Sequence, residues 1–314
     1  MHQGSEPRGR AAHPDLPVIA VPLGGLPPAP AADVRVTTYR TTASALRALG
    51  RAVRYAEWLA TDHTPVPAAD PTVALGARAL AREMLGDEAS RWLDGAQATE
   101  LLSRYDITVL GELVRSGKAA ADTAARFGVP VALKVTDPGV VHRTELGLVR
   151  VGLSSRDRIR EVYREFKDGL GHKPEVLVQP MVSGTEVALG VVRDPSMGPM
   201  VMVASGGVAT DVWSDRAFLV PPFSTAEAGR AIGSLRVATL LAGFRGEPAG
   251  DVAGLEAMLT SLGRLAHDVP ELAELDLNPV VVGPDGCSVV DVKVRLARPV
   301  GPDPVAPRQL RRVP

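Results

Sequence analysis

The sequence predicts a mixed α/β (α+β) fold in which a partial α/β unit precedes a larger α+β domain. Short β-prone runs alternate with amphipathic helical patterns along most of the 314 residues, and the 45% of hydrophobic residues is ample for a core. A Pro- and Ala-rich stretch interrupts this alternation, as is typical of a linker. Both ends are rich in Pro and Arg without periodicity, which predicts disordered tails. The predicted order is a tail at 1–15, the partial unit at 16–60, the linker at 61–72, the main domain at 73–298 and a tail at 299–314.

The partial unit starts with two β-prone runs, at 16–23 and 34–39, and a helical pattern follows Thr42. About 45 residues cannot bury a doubly wound sheet on their own. We therefore expect a fragment of an α/β domain. Apolar residues recur at the spacing of one helix face, at Leu46, Leu49, Val53, Ala56 and Leu59.

The main domain alternates strands and helices until a final hairpin. Asp94, with Gln97 three residues later, matches a capping box and predicts the start of a helix. Strands are predicted at 107–113, 130–135, 149–153, 176–182, 186–192 and 200–204. The other helices are predicted to end near 84–86 and to span 118–127, 156–170, 226–236 and 252–266.

The final hairpin concentrates oxygen-bearing side chains. Two β-prone segments, 274–279 and 287–293, are joined through a Pro-Asp-Gly turn. Alternation along the strands predicts that Asp276, Asn278 and Asp291 share one end of the hairpin. Carboxylate and amide oxygens suit Mg²⁺, which takes one or two protein ligands and completes its shell with water and phosphate oxygens. The alternative is a polar hairpin end with solvated acids.

Lys134 interrupts an apolar strand, where an unpaired ammonium would be costly to bury. A phosphate would satisfy it, and the alternative is an edge-strand lysine that reaches solvent. The loop at 136–147 follows, with Pro and Gly for turning and His142 among other polar residues. Three roles stay open for His142: a general base, a phosphate acceptor or an ordinary loop residue.

Two further segments can present backbone groups to a ligand. Gly206 and Gly207 follow a β-prone run, where they can form an anion-binding nest or a plain turn. The link at 179–182, before the strand opened by Glu186, can offer amide and carbonyl groups to an adenine edge or form an ordinary hairpin. The charged residues after the glycines fit a solvated loop: Asp211, Asp215 and Arg216.

Composition excludes several classes of protein. The 35 Lys and Arg balance 36 Asp and Glu, so there is no electrostatic case for nucleic acid or an anionic membrane as a partner. The single cysteine excludes an internal disulfide framework. The first fifteen residues lack the apolar core of a signal peptide, and no apolar run approaches the roughly 18 residues of a spanning helix, so we expect a cytoplasmic protein. The Walker A, nucleophile-elbow, H-E-x-x-H and paired C-x-x-C motifs are missing.

Taken in order, seven strings resemble the ATP-grasp (β-type) part of NDP-forming acyl-CoA synthetases, the acetate–CoA and succinyl-CoA ligase relatives. The resemblance covers about 73–296, and it implies an ATP-grasp fold. The segment 17–60 further resembles the tail of the preceding CoA-ligase domain, which implies a partial flavodoxin-like unit. The strings are LLSRYDI, PVALKVTDPGVVHRTELG, VLVQPMVSGTEVALGVVRDPSMGPMVM, SGGV, LLAGFRG, ELDLNPVVV and VVDVKVRL.

The resemblance implies ATP or ADP and Mg²⁺ as cofactors and a role for each matching position. Lys134 would pair with the phosphates, and His142 would relay phosphate. The implied nucleotide-binding residues are Lys134, Gln179, Met181, Val182, Glu186, Gly206 and Gly207. The implied metal ligands are Asn278 and Asp291, with Asp276 beside them.

Departures from the family pattern leave two hypotheses. Leu148 replaces a glycine of the histidine loop, and Leu219 stands where relatives carry an arginine after the Ala-Phe pair. The sequence also lacks the CoA-binding domain and its phosphohistidine loop, so the resemblance implies a CoA-binding α-like partner, with a small carboxylic acid and CoA as substrates of the complex. The alternative is a non-catalytic nucleotide-binding or regulatory remnant of such a ligase.

Overall fold

The computed structural model describes residues 19–21, 37–60, 70–128, 130–136, 147–194, 197–206 and 215–299. The chain divides into two compact units, Met1–Thr64 and Pro65–Pro314. None of the described helices has the apolar length that a bilayer crossing requires.

The described part of the first unit contains two parallel strands, β1 (Ile19–Ala20) and β2 (Thr37–Thr38), and one helix, α1 (Thr42–Ala60). The helix confirms the predicted pattern, but Ala45 is its single buried residue. The predicted apolar face is therefore mostly uncovered. The large apolar side chains exposed on α1 are Leu46, Val53, Tyr55, Trp58 and Leu59.

The second unit is built on two antiparallel sheets. Across the seven-stranded sheet the order is β10 (Arg216–Leu219), β9 (Gly198–Ser205), β8 (Thr185–Asp194), β11 (Leu272–Gly283), β13 (Val292–Ala297) and β3 (Ser90–Trp92), while β12 (Gly286–Val289) pairs with β11. Across the four-stranded sheet it is β4 (Glu112–Val114), β7 (Val176–Pro180), β5 (Val131–Val135) and β6 (Val149–Leu153).

Several described helices of the second unit begin at capping residues. The capping box of α3 (Gly95–Ser103) is confirmed, because Gln97 N donates to Asp94 Oδ1 at 2.8 Å and Asp94 N donates to Gln97 Oε1 at 3.2 Å. Helix α2 begins at Pro71, inside the predicted linker. The helices are α2 (Pro71–Leu85), α3 (Gly95–Ser103), α4 (Gly117–Phe127), α5 (Arg156–Leu170), α6 (Thr225–Gly233), α7 (Ala238–Leu241) and α8 (Val252–Asp268).

Each sheet buries one face against helices. Val187, Leu189 and Val191 of β8 belong to the core that α2, α3, α6 and α8 form with the large sheet. In the small sheet, Leu133 belongs to the core formed with α4 and α5. Because successive side chains of a strand alternate between faces, Lys134 lies on the face away from those helices.

Two stretches differ from their predicted structure. The predicted strand at 107–113 is reduced to Glu112–Val114, because Gly111 has a φ of +110° and turns the backbone before the strand. The prediction of a solvated loop from Asp211 to Arg216 can be compared with the structure only at Asp215 and Arg216. It is wrong there, since β10 begins at Arg216 and pairs with β9. Strand β3 and the short helix α7 are also unpredicted.

Candidate functional site

The strand ladder of the final hairpin is interrupted where Asn278 and Asp291 lie. Leu277 pairs with Val292 on one side of the break, and Val280 pairs with Val289 on the other. Between these pairs, Asn278 N donates to the backbone oxygen of Asp291 at 3.2 Å. Such irregularities re-aim side chains that a regular ladder would direct elsewhere. The structure thus brings Asn278 and Asp291 together, as the sequence predicts.

Asp276 lies one strand position before this break, paired in register with Lys293 and Gly190. Burial raises the pKa of the Asp276 carboxyl; Lys293 opposes this rise, while the charges of Asp291 and Glu274 add to it. Asp276 therefore lies within the electrostatic reach of Asp291. Among the described residues, no three His, Cys, Asp or Glu side chains form a cluster that could hold a metal ion.

Lys134 reaches this break from the small sheet. Its Nζ donates to the backbone oxygen of Val290 at 3.1 Å, next to Asp291. Strand β5 lies between β6 and β7, so the alternative of an edge-strand lysine is wrong. The side chain is half-buried. The Lys134 ammonium of the small sheet therefore lies next to the ladder break of the large sheet that carries Asn278 and Asp291.

The segment 179–182 leaves the small sheet at the end of β7. Gln179 is 2% exposed, whereas Met181 and Val182 are 46% and 36% exposed. Met181 N donates to the backbone oxygen of Pro130 at 2.8 Å, so this amide is engaged within the protein. Val182 makes no backbone hydrogen bond with the described residues, which leaves its amide and carbonyl available.

Gly206 is packed against the neighbouring strand. Its amide donates to the backbone oxygen of Glu186 at 2.9 Å, and a Cβ would lie 2.6 Å from Glu186 C. This close approach to the backbone of β8 is sufficient reason for a glycine at position 206, so a bound anion is not needed to explain it. The Glu186 side chain is exposed. Gly207 lies outside the described residues.

His142, within 137–146, also lies outside the described residues. The two leucines that depart from the family pattern are described. Leu148 is 8% exposed in the core of the small sheet, and Leu219 packs against the core of the large sheet.

Asp215 has a structural role that sequence patterns did not reveal. Its carboxylate accepts hydrogen bonds from Ser205 Oγ at 2.7 Å, Arg236 N at 2.9 Å and Val237 N at 3.2 Å. Burial opposes its ionisation, but these donors together lower the pKa of the carboxyl. Asp215 thereby joins the end of β9 to the segment between α6 and α7.

Chemically, the junction at Val290 brings the Lys134 ammonium close to the ladder break that carries the oxygen-bearing side chains of Asn278 and Asp291. The cation of Lys134 can pair with a polyphosphate, and the oxygens of Asn278 and Asp291 can hold a divalent ion that the same polyphosphate binds. The exposed groups of Val182 can receive the edge of a base.

Comparisons with known proteins identify the family of this chain. Residues 84–296 match the ATP-grasp domain family. The chain is 35% identical over 213 residues to acetate–CoA ligase [ADP-forming] I of Archaeoglobus fulgidus, covering 66% of this chain and 31% of that protein. It is 29% identical to acetate–CoA ligase [ADP-forming] I subunit beta of Pyrococcus furiosus, covering 69% of this chain and 98% of the subunit.

A solved structure shares the fold. The dinucleotide-forming acetyl-coenzyme A synthetase 1 of Ca. Korarchaeum cryptofilum, solved with coenzyme A and Mg-AMPPCP, superimposes with a TM-score of 0.60 at 33% identity. The match covers 69% of this chain and 99% of that one. In that structure the phosphohistidine segment points towards the nucleotide-binding site. The chain described here belongs to the ATP-grasp domain family, with relatives among the ADP-forming acetate–CoA ligases.

Proposed function

We propose that this chain is the ATP-grasp subunit or domain of an NDP-forming acyl-CoA synthetase. It binds Mg-ATP, passes the γ-phosphoryl group to a histidine, and forms acyl-CoA from a small carboxylic acid together with a CoA-binding α-like chain. The observation that carries this proposal is the meeting of Lys134 with the Asn278–Asp291 break at the Val290 carbonyl. The ATP-grasp family match supports it.

The nucleotide would lie along this junction. The Lys134 ammonium would exchange part of its contact with Val290 for the phosphates, because a hydrogen bond between two opposite charges is stronger than one from the same cation to a neutral carbonyl. The exposed Val182 backbone and the Met181 carbonyl would receive the adenine edge, since the Met181 amide is engaged by Pro130. Glu186 would reach the ribose, and Gly207 would line the phosphates.

Mg²⁺ fits the oxygen ligands of the hairpin break. Asn278 and Asp291 would hold it, with Asp276 beside them, and water and phosphate oxygens would complete its shell. The like charges of Asp276 and Asp291, which raise the pKa of Asp276, favour a cation at this point. When bound, the ion would neutralise phosphate charge. The protein's own contribution is to hold Lys134 and these oxygens in fixed positions.

The phosphoryl step is a displacement at the γ-phosphorus. A histidine nitrogen forms the P–N bond as the bond to the β–γ bridging oxygen breaks, and ADP leaves. The acceptor is His142 of this chain or the histidine of a partner's segment. The solved relative's phosphohistidine segment, directed at its nucleotide-binding site, supports such a transfer.

A partner chain is supported by the first unit. Helix α1 exposes large apolar side chains, among them Leu46 at 61% and Tyr55 at 60%. In the proposed complex the CoA-binding chain would bury them. The name of the Pyrococcus furiosus relative as a beta subunit agrees with a two-chain enzyme.

The structure weakens the argument for a non-catalytic remnant. That alternative drew on Leu148, Leu219 and the partial first unit; Leu148 lies in the core of the small sheet and Leu219 packs against the core of the large one. Lys134, Asn278 and Asp291 are present and adjacent. We therefore retain the catalytic function.

Isothermal titration tests the nucleotide site. ATP should bind more tightly with Mg²⁺ than with a chelator, and Asn278→Ala or Asp291→Ala should remove most of that difference. Asp168→Ala, on the exposed surface of α5, is the matched control and should behave as the unmodified chain. Equal affinity with and without Mg²⁺ would sink the assignment.

Labelling tests the phosphoryl transfer. ATP labelled on its γ-phosphate should give an acid-labile, base-stable phosphoprotein, alone or with the α-like chain. His142→Ala should abolish a label on this chain, and Lys134→Ala should slow labelling by roughly 10²–10³-fold. Normal nucleotide binding without any label under either condition would favour the remnant.

A further inference from the structure

The side chain of Gln179 joins three segments of the second unit. It is buried, and its Nε2 donates to the carbonyl oxygens of Leu110 and Val290, each at 2.8 Å. Both acceptors are carbonyls, so the nitrogen of the amide must face them. Gln179 therefore ties strand β7 of the small sheet to the segment before β4 and to the ladder break of the large sheet.

Tight packing encloses this side chain. A Cβ on Gly111 would lie 2.8 Å from Gln179 Cγ and 2.5 Å from the Val178 oxygen. The Leu110 amide in turn donates to the Val289 oxygen at 2.8 Å. The segment before β4 is thus held to the large sheet by its own backbone, and Gln179 has no room for another orientation.

The Val290 carbonyl accepts hydrogen bonds from two side chains, those of Lys134 and Gln179, which differ in how far they can move. Lys134 is half-buried, and its ammonium can turn towards an incoming anion. The Gln179 amide is buried, and its nitrogen already donates both of its hydrogens to carbonyls. When Lys134 engages a phosphate, the Gln179 hydrogen bond is the contact that still holds this carbonyl.

Val290 directly precedes Asp291, so the orientation of its peptide determines where the Asp291 side chain projects. The Val290 amide donates to the Pro279 oxygen at 3.0 Å, and the Asp291 oxygen accepts from Asn278 N. Both hydrogen bonds are made with β11, so they hold the Val290–Asp291 segment only to the large sheet. Gln179 adds the connection to the small sheet.

We propose that Gln179 is a positioning residue that couples the nucleotide to the metal: by holding the Val290 carbonyl it keeps Asp291 aimed at the ion while Lys134 binds phosphate. This inference rests on the proposed function and deepens it. The Gln179 side chain acts through Val290 and touches neither nucleotide nor metal.

The test is the gain in ATP affinity that Mg²⁺ produces, measured by calorimetric titration with Mg²⁺ and with a chelator. Gln179→Met keeps the length of the side chain and removes both donors. We expect this increase in ATP affinity, called the Mg²⁺ gain below, to fall about tenfold, because a loss of one or two hydrogen bonds has an effect of that size. The affinity for metal-free ATP should stay within about twofold, because the substitution leaves the backbone of 179–182, the part expected to hold the nucleotide, unchanged and alters only a buried side chain. A general structural defect would weaken both affinities alike.

Two further variants keep the test decisive. Gln97→Met removes the other described glutamine from its capping box, so it should lower the melting temperature without changing the Mg²⁺ gain. If Gln179→Met does not fold, Gln179→Asn replaces it, because its shorter amide reaches at most one of the two carbonyls.

An unchanged Mg²⁺ gain in the folded Gln179 variant overturns the inference. Absence of any Mg²⁺ gain in the unmodified chain rejects the proposed function itself, and this inference with it.

Discussion

Leu219 and Phe218 are neighbours on strand β10, but their side chains lie on opposite faces of the large sheet. Leu219 packs against the helix-covered core, while Phe218 is 49% exposed. The alternation of a strand explains the difference. An arginine at position 219 would therefore direct its charge towards the core.

The first prediction concerns Leu219→Arg, which would appear from sequence alone to restore a missing cation. We expect it to destabilise the fold by about 1–3 kcal/mol, the cost of placing an unpaired polar group against a core. Urea unfolding measures the loss. Phe218→Arg, one residue away and facing outwards, is the control and should cost less. Leu219→Arg as stable as the unmodified chain would contradict the assigned face.

The second prediction separates two glycines. Gly206→Ala should cost about 1–3 kcal/mol, because the new methyl group would press on the backbone of β8. Gly76→Ala is the control: nothing lies within 4 Å of a Cβ there, and the helix should gain about 0.5–1 kcal/mol. Melting temperatures of the two variants should therefore shift in opposite directions. A neutral Gly206→Ala would argue against the close packing.

The third prediction concerns Glu271, which is 2% exposed and accepts a hydrogen bond from Arg82 Nε at 2.6 Å, with Arg78 Nε at 4.0 Å. Glu271→Gln should lower the free energy of unfolding by about 1–3 kcal/mol, because a buried charged acceptor is lost. Glu161→Gln, which removes an exposed ion pair with Arg158, should cost about 0–1 kcal/mol. Equal losses of unfolding free energy in the two variants would show that the burial of Glu271 does not strengthen its interaction with Arg82.

The fourth prediction concerns acid. The hydrogen bonds to Asp215 lower the pKa of its carboxyl below the ordinary value of 3.8, so its folded form binds a proton less readily than its unfolded form. Its stabilising contribution is therefore complete above about pH 3.8 and is lost as the pH falls through the lower folded pKa. Urea unfolding at a series of acidic pH values should show this loss.

Asp215→Asn should flatten that pH dependence and lower stability near neutral pH. Asp168→Asn, on the exposed surface of α5, should leave the curve unchanged. An Asp215→Asn curve parallel to that of the unmodified chain would mean that its carboxyl does not titrate differently on folding.

Local patterns predicted most elements of the second unit. Periodicity located helices α4, α5 and α8 within a few residues, and the Asp94–Gln97 spacing gave the start of α3. Strand β10 was missed because it has four residues, too few to show a pattern, and the pairing with β9 that makes it a strand is not visible in the local sequence. Likewise, nothing near Asp215 in sequence indicates that Arg236 and Val237 will donate to it.

The sequence by itself determined the alternation of strands and helices, the hairpin that joins Asn278 to Asp291, and the resemblance to ATP-grasp domains, because these depend on residue types at short spacings. Tertiary structure decided which faces meet. Lys134 touches the Val290 peptide, 156 positions away, and Gln179 spans two sheets through its side chain. Leu219 faces a core because of the strand beside it. Such contacts depend on sheet register and packing, which no local pattern encodes.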